Sequence, residues 1–152
     1  RVFDAVENRG VTRFFIVPAA LQMLLNHPDC AKTDFSRIKY ILYGASPIPL
    51  ELLRQCIAMF GAEFVQNYGM TETTGTICIL PPEDHSIEGN ERMRSAGKPL
   101  PGVEMIIRGP NGEALPPREI GEICTRSSNN MLGYWKLPEA TASTMDAKMG
   151  PR

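Results

Sequence analysis

Apolar positions in the first half of the chain switch between a helical and a strand-like spacing. Val2, Phe3 and Val6 form a short helical stripe that Gly10 can end, and Arg13-Phe14-Phe15-Ile16-Val17 follows as a run that predicts a buried strand stopped by Pro18. Ala20, Leu21, Leu24 and Leu25 then share one helical face before His27-Pro28. Ile38 to Tyr43 predicts a second strand. Leu50, Leu53, Cys56, Ile57 and Phe60 fit the i, i+3, i+4 stripe of a helix ending at Gly61, and Glu63 to Tyr68 supplies a third strand. The order β-α-β-α-β predicts an α/β fold with a parallel sheet and right-handed crossovers.

The pattern changes near residue 76. Of the 13 prolines, four lie at or before residue 75 and nine after it, so the second half is broken into pieces that suit strands and turns. Pro81 to Arg94 reads as a polar loop with little to pack. Val103 to Arg108 and Gly121 to Arg126 predict strands on either side of a turn, Gly109-Pro110-Asn111-Gly112-Glu113, that carries the Asn-Gly signal. Ser95 to Thr125 therefore reads as a small antiparallel unit. The organisation expected is a parallel α/β portion over 1–76, a loop over 77–94, a β-rich subdomain over 95–143 and a truncated tail over 144–152.

Composition narrows the function classes. The 152 residues suit one ordinary domain, and 16 Lys+Arg against 17 Asp+Glu leave a formal net charge of −1, without the basic stripe of a nucleic-acid binder. The longest apolar stretches, Phe14 to Val17 and Ile41-Leu42, fall far short of the ~20 residues that cross a bilayer, and Arg1 to Glu7 reads as amphipathic helix rather than signal peptide. Cys30, Cys56, Cys78 and Cys124 form no C-x-x-C pair and have no neighbouring His, which suits reduced thiols in a cytoplasmic protein better than a zinc site.

In an open parallel sheet, ligands sit beyond the carboxyl ends of the strands. That rule selects Val17-Pro18, Gly44-Ala45-Ser46-Pro47 and Gly69-Met70-Thr71-Glu72-Thr73-Thr74-Gly75. Ser46 invites comparison with the hydrolase elbow G-x-S-x-G, but Ile48 replaces the second Gly and Pro47 removes the N–H that would build the oxyanion hole. The segment from Tyr68 to Gly75 is richer. Its glycines let backbone approach a ligand, Thr71, Thr73 and Thr74 offer hydroxyls for phosphate oxygens, and Glu72 among them is a setting that magnesium tolerates. A polar turn with a helix N-cap at Thr71 or Thr73 remains the alternative reading of the same residues.

The run Gln66-Asn67-Tyr68-Gly69-Met70-Thr71-Glu72 closely resembles the Y-G-x-T-E signature of the adenylate-forming superfamily of acyl-CoA synthetases, luciferases and peptide-synthetase adenylation domains. Phe15-Ile16-Val17-Pro18, Tyr43-Gly44-Ala45-Ser46-Pro47-Ile48-Pro49, Gly97-Lys98-Pro99-Leu100-Pro101-Gly102, Gly121-Glu122-Ile123-Cys124, Gly133-Tyr134-Trp135-Lys136 and Pro138-Glu139-Ala140-Thr141 fall in the family's order and spacing. The resemblance covers nearly the whole chain and looks closest to fatty-acid CoA ligases, with aryl and amino-acid activating enzymes as alternatives.

The resemblance implies that Tyr68 stacks on adenine, that Ala45, Ser46 and Pro47 line the base, and that Asn67, Gly69 and Met70 belong to the same nucleotide site. It implies further that Gly44 also belongs to the nucleotide site, that Thr71 contacts the α-phosphate, that Glu72 holds Mg²⁺, and that the acyl pocket lies between Val17, Pro18, Gly44 and Gly69. The reaction implied is ATP-dependent conversion of a carboxylic acid to acyl-AMP, followed by transfer to coenzyme A. Two positions depart from the family pattern: Ser127 after Arg126, and Arg94, stand where it usually has Gly. The family's phosphate loop is expected upstream of Arg1, and its T-G-D segment and catalytic Lys beyond the end of the chain. The expectation is therefore an internal fragment of a larger ligase, inactive alone, with a catalytically silent interaction domain as the reading from another class.

Overall fold

The computed structural model describes residues 1–145, so most of the predicted 144–152 tail lies outside the described residues. Two compact units divide the chain, one of Arg1–Tyr68 with Cys78–Lys98 and the other of Gly69–Ile77 with the chain from Pro99 onward.

The first unit carries the predicted alternation. It contains α1 (Val2–Asn8), β1 (Arg13–Ile16), α2 (Pro18–Leu25), β2 (Tyr40–Gly44) and α3 (Leu50–Phe60), and β3 (Glu63–Met70) follows. β1 to β3 pair in parallel, with Ile16 opposite Tyr43, Tyr43 opposite Gln66 and Gly44 opposite Asn67. α2 starts on Pro18, where the missing N–H breaks no helical bond. α3 turns Leu52, Leu53, Cys56 and Phe60 inward, where they join Leu21, Ile41, Tyr43 and Phe64 in the core. Burial of those side chains, each worth about 1.5–3 kcal/mol for a large apolar group, is what fixes the crossover helices to the sheet.

Three expectations change. The strand from Arg13 is only half-buried: Phe14 and Ile16 pack against the core, while Phe15, 55% exposed, alternates onto the face it shares with half-buried Leu42 and Val65. Val17, 40% exposed, caps α2, and β1 ends the sheet order β1-β2-β3-β4-β5. The span read as loop from residue 77 opens on a strand, β4 (Gly75–Leu80), with Ile77, Cys78 and Leu80 buried. The polar stretch from Pro81 to Arg94 also packs. It folds into 3-10 turns at Pro82–Asp84 and Glu91–Arg94, and it buries Asp84 and Met93. Asn90 makes this possible by accepting from the Met93 N–H at 3.2 Å and donating to the Asp84 carbonyl at 3.1 Å, while Arg92 pairs with the Asp84 carboxylate at 2.6 Å.

Within the predicted antiparallel unit, Lys98–Pro99 forms β5 of the five-stranded sheet, whereas β6 (Glu104–Arg108) and β7 (Glu122–Arg126) pair with each other. Opposite charges face each other at both ends of that ladder, Arg126 with Glu104 and Arg108 with Glu122. A last helix, α4 (Pro138–Thr144), buries none of its residues, so no apolar stripe announced it. Among the described residues no helix is long and apolar enough to cross a membrane.

Candidate functional site

In the first unit, the carboxyl ends of β1, β2 and β3 lie in one register. Exposed Val17 and buried Pro18 follow β1, exposed Ala45, Ser46 and Pro47 follow β2, and half-buried Asn67 and Tyr68 stand toward the end of β3. Gly44 is small of necessity: a Cβ there would fall onto the carbonyl of Asn67. The next residue is held in the left-handed region, Ala45 at φ 67°, a conformation that disfavours any L side chain by roughly 1–2 kcal/mol. Strain of that kind concentrates at binding loops. Asn67 Oδ1 is buried there without a hydrogen-bond partner among the described residues.

A part-buried polar chain backs these strand ends. The Tyr43 hydroxyl lies 3.0 Å from His85 Nε2 and 3.3 Å from Gln66 Oε1, and His85 Nδ1 lies 2.8 Å from the Pro81 carbonyl. A carbonyl can only accept, so Nδ1 carries the proton and Nε2 accepts from Tyr43. Burial pushes the His85 pKa down and the Tyr43 pKa up, which keeps both groups neutral. His85 is thus a brace for the residues that precede Gly44 and Asn67. The contact of His85 with Tyr43 was not legible in the sequence, where 42 residues separate them.

The second unit holds Gly69, Met70 and a 3-10 turn, Thr71–Thr73. A Cβ on Gly69 would collide with the carbonyl of Gly75. Thr73 is 1% exposed and its hydroxyl is consumed by the turn: it accepts from the Met70 N–H at 3.2 Å and lies 3.0 and 2.8 Å from the carbonyls of Met70 and Gly75. Thr73 is thus local turn chemistry, as the alternative reading has it, but the N-cap of the turn is Met70 rather than Thr71 or Thr73. Thr71 is exposed, and Thr74 sits at φ 53°. The half-buried Glu72 receives the Tyr134 hydroxyl on Oε1 at 2.6 Å. That bond, with help from the backbone, holds the Glu72 carboxyl below its usual range, and the same contact raises the Tyr134 phenol.

A model of the family described as AMP-binding enzyme matches residues 1–135. The chain belongs to this adenylate-forming family. Among its relatives, a fatty acid–[acyl-carrier-protein] ligase of Streptomyces coeruleorubidus is 39% identical over 93% of this chain and 27% of its own length. A feruloyl-CoA synthase of an Amycolatopsis species is 38% identical over 95% of this chain and 28% of its own. An O-succinylbenzoate coenzyme A synthetase from Bacillus subtilis, solved in complex with ATP and magnesium ion, superposes with a TM-score of 0.81 at 33% identity over 99% of this chain and 30% of its own. The chain spans a little over a quarter of the length of the curated relatives it matches.

The AMP-binding residues read from the sequence divide between the units. Val17, Pro18, Gly44, Ala45, Ser46, Pro47, Asn67 and Tyr68 belong to the first, while Gly69, Met70, Thr71 and Glu72 belong to the second, with the Tyr68-Gly69 peptide joining the two sets. A hollow of about 640 Å³ lined by Asp4, Glu7, His27, Asp29 and Lys32 includes none of them. Among the described residues no three His, Cys, Asp or Glu side chains gather into a metal-holding group. Glu72 instead offers one carboxylate beside an exposed hydroxyl. That donor set fits Mg²⁺, which keeps waters and takes one or two carboxylates together with substrate phosphates.

Proposed function

We propose that the chain is an internal part of the large N-terminal domain of an ATP-dependent acid–thiol ligase acting in the cytoplasm. Its substrate in this reading is a fatty acid, activated to acyl-AMP and passed to coenzyme A. A carboxylate oxygen of the acid bonds to the α-phosphorus of ATP as the bond to pyrophosphate breaks. The thiol sulfur then bonds to the acyl carbon, AMP leaves with the bonding pair, and the thiol proton is released.

The observation that supports this reading best is Glu72, a single carboxylate held ionised in a threonine turn directly after the Tyr68-Gly69 step of an AMP-binding chain. Tyr68 offers its ring face to adenine, and Ala45, Ser46 and Pro47 line the base. Asn67 Oδ1, a buried acceptor without a partner among the described residues, suits an N–H of the purine. Gly69 and Met70 bring backbone alongside the nucleotide, the Thr71 hydroxyl donates to the α-phosphate, and Glu72 would hold Mg²⁺. Bound there, Mg²⁺ supplies charge neutralisation at the phosphoryl oxygens. Val17, Pro18, Gly44 and Gly69 border the acyl chain. No covalent nucleophile is required of the protein, because positioning and electrostatics do most of the work in such chemistry.

A second reading, an aryl acid as substrate, is favoured by the nearly equal identity to the feruloyl-CoA synthase and to the fatty-acid ligase. The test is acid-dependent pyrophosphate release from ATP by the full-length protein, with straight-chain fatty acids and cinnamic-type acids side by side. Faster release with fatty acids is expected. Preference for the aryl acids moves the protein to the second reading, and no acid-dependent release overturns both. The 152-residue chain by itself is expected to give none.

A further inference from the structure

Glu72 is held at two atoms by one short stretch of chain. The Tyr134 hydroxyl donates to Oε1 at 2.6 Å, and the Met131 N–H donates to the Glu72 backbone carbonyl at 2.7 Å. The stretch is anchored on both sides of these contacts. Before it, buried Asn130 donates from Nδ2 to the Thr125 carbonyl on β7 at 3.0 Å and accepts from the Ser127 hydroxyl at 2.8 Å. After it, the Tyr134 N–H donates to Thr141 Oγ1 at 2.9 Å, and that hydroxyl donates to the Leu137 carbonyl at 2.8 Å in the first turn of α4. Gly133 makes the approach possible, since a Cβ there would stand 2.7 Å from the Thr141 side chain. Residues 130–141 thus form a strap from β7 to α4, and its one side-chain contact with Glu72 is a phenol on a carboxylate oxygen.

We propose that Tyr134 is a positioning residue for Glu72: by occupying Oε1 it fixes the carboxylate rotamer and leaves Oε2 as the oxygen available to a divalent cation carried on nucleotide phosphates. The inference rests on the reading of Glu72 as the magnesium-holding carboxylate. A free Glu side chain surrenders its rotamer freedom when it binds a cation, whereas one already tied at Oε1 has surrendered it on folding. Hydroxyl-to-carboxylate bonds of this length are charge-assisted and among the stronger ones. Partners that orient a ligating group typically contribute 10- to 100-fold to metal affinity or activity. The strap also explains a separation that turn chemistry alone leaves unexplained. Tyr134 lies 62 residues beyond Glu72, on a segment whose neighbours Leu132 and Trp135 are 97% and 85% exposed, yet its hydroxyl reaches the Glu72 carboxylate.

The experiment uses the full-length protein with Tyr134→Phe, which keeps the ring and removes only the hydroxyl. Mn²⁺ binding is measured by electron paramagnetic resonance in the presence of α,β-methylene-ATP, alongside the Mg²⁺ dependence of pyrophosphate release. The dissociation constant for Mn²⁺ is expected to rise by about 10- to 100-fold, with the Mg²⁺ concentration for half-maximal rate rising in parallel and the rate at saturating Mg²⁺ largely retained. A merely structural role would lower the saturated rate and the folded fraction without that split. Thr141→Val, which loosens the strap without touching Glu72 or the phenol, is expected to weaken Mn²⁺ binding several-fold. Unchanged Mn²⁺ affinity in both variants overturns the proposal. Glu72→Gln separates the two levels: if it too binds Mn²⁺ as the wild type does, the magnesium reading falls. If it binds weakly while Tyr134→Phe does not, only the positioning role falls.

Discussion

One glycine and one threonine in the candidate segments are used structurally, and each makes a definite demand. Gly44 has the Asn67 carbonyl where a Cβ would go. Gly44→Ala is therefore expected to destabilise by about 1–3 kcal/mol through forced separation of two strand ends, read as a drop in the denaturant midpoint. Thr73 is different, because its demand is polar. With its hydroxyl spent on Met70 and Gly75, Thr73→Val removes the partner of the part-buried Met70 N–H, and a loss of about 0.5–1.5 kcal/mol is expected. Neither residue's chemistry was wholly legible in the sequence. A glycine at a strand end and a threonine in a turn were visible, but not whether the hydroxyl faced a ligand or its own backbone. The contacts of Tyr134 with Glu72 and of His85 with Tyr43 join residues 62 and 42 positions apart, beyond the reach of any local period.

At the scale of elements, the apolar spacing found α2 and α3 because each turns a helical stripe toward the core, and β1, β2 and β3 because each carries a short apolar run. It overestimated the burial of β1 because Phe15 is as apolar as a core residue, and only the alternation of faces along the strand leaves it exposed while Phe14 and Ile16 pack against the core. β4 was hidden behind Gly75-Thr76, which read as turn, and behind the prolines that follow Leu80. The stretch after it was dismissed as polar, yet its His85 braces β2 and β3. Burial lowers the His85 pKa, the first cause, against smaller opposing effects from the Pro81 carbonyl, Asp84 and Glu83. The unfolded chain therefore binds the proton more readily. The stabilisation from neutral His85 is complete above its ordinary pKa of about 6.5 and is lost as pH falls through the lowered folded value. The full-length protein is expected to lose denaturant resistance below that point, and His85→Gln to flatten this slope while costing about 0.5–1.5 kcal/mol at pH 8 for the Tyr43 bond. Equal slopes in the two proteins would remove the brace.

At the scale of the whole molecule, a net charge of −1 excludes a basic binding surface, and family membership gives that exclusion a positive meaning. In the proposed reading, an anionic nucleotide is met by hydroxyls, close backbone and one carboxylate carrying a cation. Length was the least informative feature: 152 residues suit a complete domain, yet the chain covers only 27% of the fatty-acid ligase it resembles. The central claim is that this chain belongs to an acid-activating ligase whose nucleotide cation is held by Glu72. Acid-dependent exchange of labelled pyrophosphate into ATP, by the full-length wild type and Glu72→Ala in parallel, tests it most directly. The account expects exchange that requires the acid and falls by at least about 100-fold in Glu72→Ala. Exchange that ignores the acid, or a Glu72→Ala protein that matches the wild type, would contradict it.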